Sequence, residues 1–280
     1  MEDMRDPALR KSYYHGVGGP ITVENYKFNS PLIDIFWEAV KELKVENLEG
    51  DINGKSQTGF TKPHATVRNG LRCSANKGYL RPASKRPNLD IMINAFVRKI
   101  NIDPETKVAN SVEFDLFGLP HTAHSHREII LSGGAINSPQ ILMLSGVGPR
   151  DHLQEFDIDV IKHAPGVADG GMIGRTASGV SVDNYANVFE PVIYKDSYII
   201  TPLLMRPRSR GRIRLQSILP RKHPLIYANY FKDPYDLAVL VEGLKYAHAF
   251  SQTKILRYLN ATLNIYSWRN FGCFLIILIF

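Results

Sequence analysis

Ser132, Gly133, Gly134 and Ala135 stand between a short apolar, β-branched run at residues 129–131 and a helical pattern carried by Ile141, Leu142 and Leu144. Four small residues at such a junction let the backbone turn tightly and approach a ligand closely. A strand that ends in a small-residue turn and enters a helix presents backbone N–H groups to a dinucleotide. Asn137, Ser138 and Pro139 read as the helix start, and Gly146 and Gly148 close it before Pro149. The string is not GxGxxG, so a strand-to-helix turn with only a packing role fits the same four residues.

Other residues with chemical potential read more plainly. His121, His124 and His126 fall at i, i+3 and i+5 with no cysteine or acidic cluster nearby, which makes an exposed loop a better reading than a metal site. Gly54, Lys55 and Ser56 form a GKS triplet that lacks the upstream glycine of a P-loop. Residues 206–214, RPRSRGRIR, are the densest basic run and have the charge to meet phosphates. They lack the interleaved aromatics of a single-strand platform. Ile213 and Leu215 alternate with arginines, so the run reads as an amphipathic strand with a charged outer face. His64 reads as a solvated loop residue and Trp37 as core packing. Gly170, Gly171 and Gly174 have no strand–helix frame around them and read as a loop. Cys73 and Cys273 lie far apart, outside any CxxC pattern, and indicate neither a disulfide framework nor zinc.

The elements that position these residues follow from periodicity. A chain of 280 residues, 44% apolar and 22% charged, has the composition of a soluble globular protein of one large domain or two small ones. Its net charge of +7 is spread widely, and neither a nucleic-acid partner nor a membrane span is expected. Helices are predicted over residues 31–44, 71–80, 150–156 and 233–250, with strands at 21–24, 88–94, 96–102, 108–117, 127–132, 160–162 and 197–205. The alternation of Val112, Phe114 and Leu116 fits a β-meander with one wet face. The first residues carry no apolar run, so no signal peptide is expected in this chain, and localisation stays open. Residues 272–280 are too short to cross a bilayer and read as an aggregation-prone apolar tail.

The string SGGAINSPQILMLSGVGP resembles the second sequence signature of the glucose–methanol–choline (GMC) family of flavin oxidoreductases, most of all its insect glucose dehydrogenase-like members. Further blocks resemble the same family in the same order: YHGVGGPITVE, GFTKPHATVRNGLRCSANKGYLRPASKRPNLDI, RPRSRGRIRLQS and HPLIYANYFKDPYDLAVLVEGLKYA. The resemblance covers about residues 13–167 and 199–258. It implies an α/β fold with α+β parts: a Rossmann-like FAD-binding domain without its N-terminal βαβ unit, followed by the start of a sheet-based substrate domain. The implied domains are 1–167, a shortened connection 168–198, a partial C-terminal domain 199–271 and the tail 272–280.

The resemblance also implies FAD as cofactor and CH–OH groups of an alcohol or a sugar such as glucose as donor, with an electron acceptor in full-length relatives, which are often secreted. By the same resemblance Val97, in AFVRKI, meets the adenine of FAD through its backbone. Ser132, Gly133, Gly134 and Ala135 match the turn beside the cofactor. The family's strand–GxGxxG–helix, its first signature and an NLQDH-like run after Gly166 are not found in this chain. The region that holds the family's catalytic histidine is not matched either, and His163, His223 and His248 lie in other motif contexts. No catalytic residue and no metal ligand is therefore assigned. The chain reads as a truncated member, expected to be inactive by itself. Two other readings stay open: a non-catalytic truncated or spliced remnant, and a basic binding module built on residues 206–214.

Overall fold

The computed structural model describes residues 1–28, 30–46, 48, 50–167, 197–264 and 276–279. Its strands are β1 Glu2–Met4, β2 Ile21–Val23, β3 Val67–Arg68, β4 Leu71–Arg72, β5 Ala95–Ile102, β6 Ala109–Leu116, β7 Leu119–His124, β8 Val147–Gly148, β9 Lys162–His163, β10 Ser197–Ile200, β11 Arg212–Arg214, β12 Leu225–Tyr227, β13 Thr262–Asn264 and β14 Ile276–Ile279. Its α-helices are α1 Leu32–Glu42, α2 Arg81–Ala83, α3 Gly134–Leu144, α4 Arg150–Gln154, α5 Pro234–Ser251 and α6 Lys254–Tyr258. The chain divides into two compact units. One comprises Met1–Ile91, Tyr185–Pro202 and Gly243–Phe280, and the other Met92–Asn184 and Leu203–Glu242.

In the first unit, α1 buries Ala39 and Val40 with Phe250 and Leu256 in one apolar cluster. Asp34 in its first turn and Lys41 in its last complement the helix dipole. A histidine ties β1 of the parallel pair β1–β2 to Asp51. His15, with its side chain 3% exposed, places Nδ1 3.0 Å from Glu2 and Nε2 2.9 Å from Asp51. A neutral imidazole has one N–H and can donate to only one of these carboxylates, whereas the imidazolium donates to both. Burial opposes the charged form, but the hydrogen bonds to Glu2 and Asp51 outweigh it and raise the His15 pKa above its ordinary value.

A raised folded-state pKa contributes stability that is full below the unfolded value and is lost as pH rises through the folded one. The thermal midpoint is therefore expected to fall as pH rises above about 6.5, the ordinary histidine value. His15→Gln should flatten that part of the profile. Unfolding followed by circular dichroism from acid to mildly alkaline pH checks this, and a wild-type profile parallel to that of the variant would refute it.

The second unit is built on the antiparallel meander β5–β6–β7, in which β5 is an edge strand. Helix α3 packs against β5, and the buried backbone N–H of Ile100 donates to Ser145 Oγ at 2.8 Å. Gly146 then turns the chain at φ +83, where an added Cβ would lie 2.5 Å from the Asp159 carbonyl, so only glycine fits. Met143 of α3 and Leu153 of α4 pack with Ile213 and Leu215 in the second core.

Several sequence expectations give way. The apolar residues 129–131 pair with no strand among the described residues, and Ile130 is 79% exposed. An apolar run becomes a strand only where a neighbouring strand takes up its backbone groups. The expected strand 88–94 is irregular and ends at Asn94, whose φ of +59 breaks extended backbone. Residues 71–72 form a β-hairpin strand with 67–68, so the expected helix 71–80 begins only after them, as a π-helical turn Asn76–Leu80 that runs on into α2. His121 and His124 lie in β7, which pairs with β6 although its side chains are exposed; only His126 is in a turn. Helix α3 begins at Gly134, three residues before Asn137, and holds Pro139 inside. Residues 276–279 of the apolar tail form the middle strand of the β10–β14–β13 sheet. The expected loop at Gly170, Gly171 and Gly174 lies outside the described residues.

Candidate functional site

A cavity of about 340 Å³ lies inside the second unit, between the edge strand β5 and α3. One wall is Ala95, Phe96, Val97 and Arg98; the facing wall is Gly133, Asn137, Gln140 and Ile141. An edge strand keeps backbone N–H and C=O groups that its own sheet does not use. Helix α3 opens at Gly133 with no side-chain cap, which leaves its first-turn N–H groups for a ligand or water. Gly134 takes φ +85, and nothing lies within 4 Å of where its Cβ would stand. A planar heterocycle with edge donors and acceptors suits the β5 wall, and an anion suits the helix end.

The third wall is the loop 220–223, and contacts made by Gln140 and Arg221 hold it. Gln140, 7% exposed, donates from Nε2 to the carbonyls of Pro220 at 3.2 Å and Lys222 at 2.7 Å. Arg221 places its guanidinium 4.4 Å from the centroid of the Phe96 ring and bonds Asp115 at 3.2 Å. Asp115 also pairs with Arg98 at 3.5 Å. These ion pairs are partly exposed, so they add little stability, but they fix two guanidiniums at the cavity mouth.

Of the sequence-predicted residues, Val97 and Gly133 line this one cavity from opposite sides. Ser132, Gly134 and Ala135 are exposed at the neighbouring turn and are not part of its wall. His223 lines the cavity, whereas His163 accepts the Arg150 N–H at 3.1 Å and His248 belongs to α5. His64 is not merely solvated, because it bonds Asp6 at 2.9 Å. His121 stacks on Phe114. No group of three or more His, Cys, Asp or Glu among the described residues is disposed to hold a metal ion.

The basic run 206–214 is tied to its own unit. Arg208 lies 3.7 Å over the Tyr235 ring, Arg210 donates to the carbonyls of Pro207, Arg208 and Ser209, and Ile213 is buried. The buried Asp236 accepts the N–H groups of Arg208 and Ser209 at 2.7 and 2.9 Å. Burial alone would push its pKa up. The bonds from Ser209 and Arg208 outweigh that and hold its carboxyl below the usual range.

Sequence reasoning missed Gln140, Ser145 and His152. His152 accepts the buried Leu215 N–H at Nε2 (2.8 Å), so its Nδ1 carries the proton and donates to Glu155 at 3.1 Å. The available signal was a polar residue on an apolar helical face, since Gln140 directly precedes Ile141 and Leu142.

Comparison with known proteins gives the site its context. A GMC oxidoreductase family model matches residues 3–178, and a second, of the same description, matches residues 207–267. Glucose dehydrogenase [FAD, quinone] of Drosophila melanogaster is 33% identical over 307 residues, covering 87% of this chain and 49% of that protein. The oxygen-dependent choline dehydrogenase of Staphylococcus xylosus is 43% identical over 156 residues, covering 56% of this chain and 27% of that one. The chain thus spans about half the length of the curated glucose dehydrogenases it matches.

Two solved structures share the fold. An FAD-dependent oxidoreductase from Chaetomium thermophilum has a TM-score of 0.73 at 17% identity, covering 92% of this chain and 62% of that one. Pyridoxine 4-oxidase from Mesorbium loti also has a TM-score of 0.73, at 21% identity, covering 92% and 57%. With two family models matched along most of its length and that fold beneath them, the chain belongs to the GMC oxidoreductase family.

Proposed function

We propose that this chain is the cofactor-holding part of an FAD-dependent oxidoreductase that acts on CH–OH groups of alcohols or sugars. The observation that carries the proposal is the cavity that brings Val97 on β5 and Gly133 at the start of α3 to one space. Its volume of about 340 Å³ lies at the lower end of the range of about 300 to 1,000 Å³ for small-molecule pockets, which suits the adenosine end of the cofactor. The backbone edge at residues 95–98 would read the adenine, and the uncapped start of α3 would face the phosphates. Gln140 keeps the loop wall in place, and Arg98 and Arg221 place positive charge at the mouth. Bound flavin supplies the hydride-accepting chemistry.

Family membership and the donor classes named for the glucose and choline dehydrogenases support this reading. The 280-residue chain by itself is proposed to bind weakly and not to turn over. Tight dinucleotide binding draws on a glycine-rich strand–helix turn, and this sequence has no GxGxxG after a strand. A positioned general base is worth about 10²–10⁴-fold, and no histidine of this chain is assigned that role.

The purified chain is therefore expected to be colourless near the flavin bands and silent in a dye-reduction assay with glucose or choline, yet to take up added FAD weakly. A yellow, active preparation would overturn the proposed inactivity. A chain that takes up no added FAD at any concentration would overturn the cofactor role.

A further inference from the structure

The first unit contains a cavity of about 370 Å³ that the flavin reading does not use. Half of its lining residues are aromatic: Tyr26, Phe28, Phe36, Trp37 and Phe60. Trp37 is 8% exposed and meets Phe60 edge to face at 4.9 Å, which fixes the floor. Phe36 is held from behind by Tyr198 and Phe250, with ring centroids 4.8 and 5.6 Å away. The rim is different: Tyr26 is 57% exposed and Phe28 80% exposed. A rigid aromatic floor below exposed rings is the usual make-up of a small-molecule pocket, and it costs exposed apolar surface while empty.

The charge of the lining narrows the ligand. Among the described residues that line it, Lys62 is the one cation and none is an aspartate or glutamate. Asn25, which also lines the cavity, donates from Nδ2 to Asp6 at 2.7 Å, so its carbonyl oxygen stays able to accept. Rings packed edge to face and offset favour a flat aromatic guest over a branched aliphatic one. A cation at the rim favours an anionic substituent on it.

We propose that this cavity binds a single planar aromatic molecule bearing an acidic group, with the ring against Trp37 and Phe60 and the anion toward Lys62. The site is independent of the cavity between β5 and α3. Its test does not depend on bound flavin.

Trp37 supplies the readout. Trp268 is the only other tryptophan in the chain, so a Trp268→Phe background isolates the Trp37 signal. The probes are 4-nitrobenzoate, which is anionic, and nitrobenzene, its neutral counterpart; both quench indole fluorescence. Saturable quenching by 4-nitrobenzoate is expected, with about two- to fivefold weaker affinity for nitrobenzene, in line with one exposed charge contact. Lys62→Gln should remove that difference. Phe28→Ala, a change at an exposed ring that leaves the core untouched, should weaken both probes several-fold. Linear, purely collisional quenching would overturn the proposal. So would saturable quenching that is unchanged in Phe28→Ala, or an equal preference for both probes in the wild-type residue background.

Discussion

Replacing Gln140 with leucine is expected to weaken adenine-nucleotide binding by about tenfold and to destabilise the second unit. The amide donates to the carbonyls of both Pro220 and Lys222 from a nearly closed site. Leucine matches its size and removes both donors, leaving two carbonyls facing apolar atoms. Orphaned polar groups of this kind cost about 1–3 kcal/mol each, reduced here because the loop can turn toward water. The loop carries Arg221 and His223, so its release also opens one wall of the cavity. Gln140→Glu is the informative companion, since its carboxylate keeps the shape but donates nothing when ionised. Both variants should lose affinity together, as measured by titration calorimetry with ADP. Full affinity in either would remove the loop from the binding site.

Ala95→Phe is expected to have a still larger effect on binding and a small one on folding. Ala95 opens β5 opposite Leu116 and lines the cavity, so an aromatic side chain there projects into the space proposed for adenine. Aromatic residues suit a strand at least as well as alanine, which keeps the expected change in unfolding free energy within about 1 kcal/mol. Wild-type affinity for ADP is expected between about 0.1 and 1 mM, equivalent to about −5.5 to −4 kcal/mol. The variant should show no saturation in that range. Differential scanning calorimetry beside the binding assay separates a blocked site from an unfolded one.

Much of the scaffold was legible because periodicity reports burial. Helix α1 follows its apolar spacing and β6 the alternation of Val112, Phe114 and Leu116, whereas α5 forms where its spacing placed a helix but leaves Leu237, Val239 and Tyr246 exposed and buries Leu240, Ala247 and Phe250. The alternation of Ile213 and Leu215 with arginines likewise announced a strand whose inner face is core. Strand β7 was not legible, since LPHTAH is exposed throughout and is held by backbone pairing with β6 rather than by side chains. Residues 129–131 erred in the opposite direction: their composition is that of a strand, but strand formation depends on a neighbour that local sequence does not reveal.

The candidate site shows the same division. The small-residue run was visible as a motif, but that Gly133 within it lines one cavity with Val97 is a tertiary fact that local sequence does not reveal. Gln140 was passed over because a single polar residue in an apolar helix gives no hint of which carbonyls it will find. His15 was passed over because its two partners, Glu2 and Asp51, lie 13 and 36 residues away.

The adenine end of the cofactor is proposed to sit between β5 and α3. Hydrogen–deuterium exchange of the chain with and without saturating ADP tests it most directly, because backbone N–H groups are the proposed contacts. The account predicts slower exchange in peptides covering residues 95–102 and 133–144, with the basic run 206–214 unchanged. Protection confined to residues 206–214, or no protection at 95–102 while ADP is demonstrably bound, would contradict it.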